Sequence, residues 1–281
     1  MRTKTKLSLA LAAACCVSAP AHAIVVTDSS NATALATAIG GSGITISNPT
    51  FSGATSTAAG SFTGGAASVG FDTGIVLTTG TTGCVPGPNN QGGCTGNGTA
   101  TSLKFDFTSA TGNVFFSYVF GSEEYNFYVG STFNDRFELR LDGTNIATLP
   151  IAGNPVVSIN NVNCETNPTF YRNNVDGEGH QPEGCVNRNL DIQYDGLTTV
   201  LLASATALSP GTHTFEFFVT DIGDEILDSG VFIQAGSFTG TNPGPTPEPP
   251  PPSNGVPEPG SLALAGLGLT ALAALRRRKR A

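Results

Sequence analysis

The run Val114–Phe120, VFFSYVF, is almost continuously apolar. A strand this apolar must be covered on both faces, so the chain has to supply a layer on each side of it. Around it the period is two. Leu103, Phe105 and Phe107 alternate with Lys104 and Asp106, and Phe137, Leu139 and Leu141 with Glu138 and Arg140. His213, Phe215, Phe217 and Val219 form one face of a further strand, and Thr214, Glu216 and Thr220 the other. Asp142-Gly143 turns the chain toward Asn145–Leu149, which spells a hairpin. Ile44 and Ile46, Ile75 and Leu77, Val156–Ile159, Thr198–Ala203 and Val231–Ile233 with Phe238 read as more strands, bounded by Gly and Pro. The pattern predicts a mainly β chain: an antiparallel β-sandwich, jelly-roll-like. One short N-terminal helix precedes it, Ala32–Ile39, capped by Asn31, ended by Gly40-Gly41 and pinned through Leu35 and Ile39. The pentapeptide GSFTG occurs at Gly60–Gly64 and Gly236–Gly240 and is expected to mark neighbouring edge strands.

Composition agrees. Only 12% of residues are charged, and 35 Gly with 18 Pro leave little room for long helices, while 17 Phe argue against disorder. Residues 24–240 hold five basic and nineteen acidic side chains, a formal charge of −14. Such a surface repels phosphate backbones, which excludes nucleic acid as a partner.

Both termini read as addresses. Arg2, Lys4 and Lys6, the apolar Leu7–Val17 and the small-x-small Ala21-His22-Ala23 form a secretory signal over residues 1–23, cleaved after Ala23 by signal peptidase. Cys15 and Cys16 raise a lipoprotein alternative, but Ala12-Ala13-Ala14 lacks the large aliphatic residue such a cysteine wants. Residues 241–255 form a Pro-rich linker, extended and semi-rigid. Residues 256–281 follow a fixed order: Pro257-Glu258-Pro259, the apolar run Ser261–Leu275, then Arg276, Arg277, Arg278, Lys279 and Arg280. Fifteen apolar residues make a single hydrophobic helix of ~22 Å, short against a ~30 Å hydrocarbon core, with the basic cluster on the cytoplasmic side.

This tail resembles the PEP-CTERM sorting signal of Gram-negative bacteria. The resemblance implies recognition by a membrane-embedded exosortase, removal of the tail, and delivery to the cell surface or extracellular matrix. The helix would hold the chain in the membrane until then.

In the body, Gly74-Ile75-Val76-Leu77-Thr78-Thr79-Gly80 and Tyr118-Val119-Phe120-Gly121-Ser122-Glu123-Glu124-Tyr125 are followed by Phe133-Asn134-Asp135-Arg136-Phe137 and Val157–Asn163. Asp195-Gly196-Leu197-Thr198, Asp221-Ile222-Gly223-Asp224 and Asp228–Ile233 complete the series. In this order the motifs resemble the choice-of-anchor L domain, across residues 24–240. The resemblance implies a bacterial surface domain joined to an anchoring tail and carries no catalytic residues.

Four cysteines remain outside the signal. Cys84 and Cys94 flank one loop and Cys164 and Cys185 another, and local closure of each loop is the simplest of three disulfide connectivities in an exported chain. Zinc is disfavoured because no C-x-x-C pair exists.

The acids are the candidates for chemistry. Glu123 and Glu124 follow the buried strand, Asn134 and Asp135 open the next, and Asp221, Asp224 and Asp228 share a loop with Gly223. Ca²⁺ takes six to eight oxygens from such loops, so these residues form a candidate calcium site, against the plainer expectation that they cap turns. Glycoside hydrolysis needs two carboxylates across a cleft, and adjacent Glu123 and Glu124 pair poorly. No G-x-S-x-G, H-E-x-x-H or Walker motif is present, and His213 reads as structural. The expectation is a non-enzymatic, structural or adhesive protein of biofilm or extracellular polymer, with polysaccharide or matrix proteins as partners. The alternative is a carbohydrate-binding module, with Tyr125 and Tyr128 as its exposed rings.

Overall fold

A strand with one apolar face buries it against another such face. The computed structural model describes residues 23–90, 98, 100–175, 181–223 and 225–244, and in it two antiparallel sheets meet in this way. The strand β1 (Val25–Asp28) and the helix α1 (Ala32–Ile39) precede β2 (Ile44–Ser52), β3 (Ala59–Thr63) and β4 (Gly74–Thr78). Next come β5 (Ala100–Ser109), β6 (Val114–Ser122), β7 (Arg136–Leu141) and β8 (Thr144–Asn145). The last strands are β9 (Tyr171–Asn173), β10 (Gly196–Thr198), β11 (Leu201–Ala205), β12 (His213–Thr220) and β13 (Ser229–Gln234). One sheet runs β1-β3-β4-β13-β6-β10-β9, with β11 also paired to β6; the other runs β2-β5-β12-β7-β8.

The expectation for Val114–Phe120 holds. Every residue of β6 is buried. Val114, Phe116, Tyr118 and Phe120 enter the core between the sheets, while Val119 joins a second core on the opposite face with Phe62, Val69, Phe71 and Tyr194. The second sheet is covered on one side only. Leu103, Phe105, Phe107, Phe215, Phe217 and Leu139 face the core, whereas Arg140 on its outer side pairs with Glu138 and Glu216 and lies 3.8 Å over the Phe218 ring.

Helix α1 forms over the predicted residues. The Asn31 side chain accepts from the Ala34 N–H at 3.0 Å, and Leu35, Ala36 and Ile39 join the main core. Gly41 lies so close to the Gly236 carbonyl that a Cβ there would overlap it.

The second GSFTG copy is not an edge strand beside the first. Gly60–Thr63 lies in β3, but Phe238 forms a parallel bridge to Gly40 and Thr239 an antiparallel bridge to Phe115. Phe238 is fully buried, its ring centroid 5.0–5.8 Å from those of Phe105, Phe107, Phe116 and Phe215. Val156–Ile159 is also not a strand: it makes only single bridges, Thr148 to Val156 and Arg136 to Ser158. Asn161 and Asn163 side chains bond the carbonyls of Val156 and Ile159, taking acceptors that a ladder would use.

The expected signal core, the Pro-rich linker beyond residue 244, Pro257-Glu258-Pro259, the C-terminal helix and Arg276–Arg280 lie outside the described residues. Among the described residues no helix is long and apolar enough to cross a membrane.

Candidate functional site

Antiparallel pairing brings three chain ends together at one end of the first sheet. Ser229, which opens β13, pairs with Ser122, which closes β6, while Gly230 pairs with Thr78 at the end of β4. The acids flanking these positions therefore converge. Asp228 Oδ1 accepts from the Gly80 N–H at 2.6 Å and the Thr79 hydroxyl at 3.2 Å, and Oδ2 accepts from the Tyr194 hydroxyl at 2.8 Å. Gly121 and Gly230 leave room for the Tyr194 ring; a Cβ on Gly230 would overlap its hydroxyl. Asp135 accepts from the Ile222 N–H at 2.8 Å and from the Ser229 hydroxyl at 2.7 Å. Ser229 Oγ also lies 2.8 Å from Ser122 Oγ, which accepts from the Glu124 N–H at 2.9 Å. The Glu123 N–H donates to the Asp228 carbonyl at 3.0 Å.

Asp135 and Asp228 are fully buried, and Glu123, Glu124 and Asp221 nearly so. Burial pushes the Asp228 carboxyl up to about 7; donors Tyr194, Gly80 and Thr79 oppose this, and the charge of Asp135 adds to it. Burial, then the Asp228 charge, drives the Tyr194 hydroxyl well above its ordinary value. Chemically, this arrangement ties loops to strand ends: each bonded carboxylate oxygen accepts from a different segment of chain.

Of the residues expected to hold calcium, Asp135 and Asp228 are linked through Ser229, and Asp221 is drawn close through its neighbour Ile222. Asn134 instead accepts from the Asn160 N–H at 3.0 Å, and Asp221 accepts from the Glu225 N–H at 3.2 Å. Asp224 lies outside the described residues. Among those described, no group of three or more His, Cys, Asp or Glu side chains is arranged to hold a metal ion. Sequence spacing missed Tyr194, Thr79, Ser122 and Ser229.

A second feature lies nearby. A cleft of about 370 Å³ is bounded by Asn126, Phe127, Asn163, Cys164, Glu165 and Pro182. Cys164 is joined to Cys185, Cα atoms 5.9 Å apart, as expected. Cys84 is also disulfide-bonded, and Cys94, its expected partner, lies outside the described residues. Tyr125 does not reach the surface as expected: it is fully buried, its ring 4.9 Å from that of Tyr171, and Tyr128 is half-buried. The exposed ring is Phe127, at 62%.

A family model of the PEP-CTERM protein-sorting motif matches residues 255–279, and one of the choice-of-anchor L domain matches residues 24–239. No curated protein and no solved structure matches the chain. The tail motif is that of an exported surface protein sorted by an exosortase, which is its processing partner. The domain motifs Gly74–Gly80, Tyr118–Tyr125 and Asp228–Ile233 are the β4, β6 and β13 segments that build the buried acid cluster, and the chain belongs to the choice-of-anchor L domain family.

Proposed function

We propose that this protein is a non-enzymatic, adhesive component of biofilm or extracellular polymer, delivered there by exosortase sorting. One observation carries the reading: Asp135 and Asp228, the carboxylates best placed for chemistry, are fully buried and bonded to protein donors. A carboxylate that no substrate reaches does not act as a general acid or base. Disulfides and a sandwich with two cores suit a domain that must persist outside the cell.

The test is fractionation of the full chain in an exosortase-bearing host. The wild type is expected in the extracellular polymer, while Glu258→Ala, which breaks Pro257-Glu258-Pro259, stays in the envelope. Polymer from cells lacking the protein should retain fewer cells. Equal retention with and without the protein would remove the adhesive role, and turnover of purified matrix polysaccharide would make the protein an enzyme.

A further inference from the structure

Phe127 is 62% exposed, and no other aromatic ring among the described residues ranks with the exposed large side chains. Lone exposed apolar residues carry little meaning by themselves, but this one is fixed on both sides. Tyr125 is buried against Tyr171. The Asn126 carboxamide donates to Asn173 Oδ1 at 2.9 Å and accepts from the Tyr171 hydroxyl at 2.9 Å. The Tyr128 N–H donates to the Glu124 carbonyl at 3.1 Å, and its ring meets Phe133 edge-on at 5.4 Å. A ring presented by so constrained a backbone costs little further ordering when a ligand meets it.

The adjoining cleft, about 370 Å³, is at the lower end of small-ligand sites. It has room for about one or two sugar rings and is far too small for a protein domain. Pro182 and the disulfide at Cys164 supply apolar wall. Asn163 is locked by bonds to the Ile159 and Asn160 carbonyls and from the Glu165 and Thr166 N–H groups. Glu165, exposed, brings a carboxylate to the rim. A pyranose has a C–H face that lies on an aromatic ring and hydroxyls that donate to a carboxylate, and these walls offer both partners. The charge of −14 over residues 24–240 selects against polyanionic polymers.

We infer that the Phe127 cleft binds neutral hexopyranose residues of an extracellular polysaccharide, one sugar ring stacking on Phe127 and its hydroxyls donating to Glu165. The inference rests on the adhesive reading for where the ligand is met. The test is affinity electrophoresis of the purified full chain in gels containing a neutral glucan or galactomannan, with alginate as the polyanionic control. Wild type should be retarded by a neutral polymer and not by alginate. Phe127→Ala should weaken binding about tenfold and Glu165→Gln about threefold, both unfolding at the wild-type midpoint. Migration unaffected by every neutral polymer, or equal retardation of Phe127→Ala, overturns the cleft. If the native matrix holds wild type and Phe127→Ala equally, adhesion stands and the cleft falls. Gel binding without retention in the matrix would remove the adhesive reading alone.

Discussion

Two titratable side chains lie where their protonation changes stability in different pH windows. Asp228 has a carboxyl raised by burial from 3.8 to about 7. Between about pH 4 and 7 the folded chain holds a proton that the unfolded chain has lost, so stability falls as pH rises through that window. Asp228→Asn is expected to flatten this slope in thermal midpoints. His213 behaves differently. Its Nδ1 lies 2.7 Å from Asp142 Oδ2 and its Nε2 2.9 Å from the Ser209 carbonyl, so only the imidazolium donates to both. The Asp142 bond, then the Ser209 carbonyl, raises it above 6.5 against the opposing effect of burial. Its contribution is complete below about pH 6.5 and lost as pH climbs through the higher folded value. For Asp142 burial acts upward, but bonds from His213 and the Thr214 N–H prevail and lower it, so its share is lost only in acid. His213→Gln should remove the alkaline loss and leave the slope between pH 4 and 7 in place. Arg172 contributes through hydrogen bonds instead: its buried guanidinium donates to the carbonyls of Thr198, Ser68 and Val69 at 2.9, 2.7 and 3.4 Å. Arg172→Met leaves these acceptors unpaired and should cost about 2–4 kcal/mol in denaturant unfolding.

Among the elements, β9 has only three residues at the margin of its sheet, paired on one side to β10. The Cys164–Cys185 bridge closes the chain around it, with a sequence separation of 21. Replacing both cysteines by Ala should cost about 3 kcal/mol and expose the β9 amides to hydrogen exchange before those of β6. The elements most legible in sequence were those with a single physical reason. β5 and β12 alternate because one face meets water, β6 does not because neither face does, and α1 begins where Asn31 caps it. Val156–Ile159 misled because Val157 and Ile159 pack in the main core from a loop, whose carbonyls the Asn161 and Asn163 side chains bond, and so share the composition of a strand. Strand order was not legible, since β13 lies between β4 and β6 through pairings that no local period encodes. The acid cluster was half legible for the same reason: its carboxylates stand out in the sequence, but the Tyr194–Asp228 bond spans 34 residues and the Thr79–Asp228 bond 149. Tyr125 was misread because polar neighbours surround it in sequence, whereas the Tyr171 ring covers it in space.

At the scale of the molecule, the chain leaves the core at Phe238 and reaches the sorting motif at residue 255, across the Pro-rich linker. Phe238 fills the space between the sheets, and Phe238→Ala should cost about 3–5 kcal/mol, read from the denaturant midpoint. That position also decides how the domain bears load. Beyond Gly240 the Pro-rich segment leads to the sorting motif, so tension on the tail would arrive first at Gly240, bonded to the Ser42 carbonyl and the Thr111 hydroxyl, and then at Thr239 and Phe238. These residues are bridged to β6 on one side and to the end of α1 on the other, and the Phe238 ring is wedged among rings from both sheets. For as long as the tail is tethered, a pull on it would work against both leaves of the sandwich, because Phe238 leaves its place only by opening the core they share.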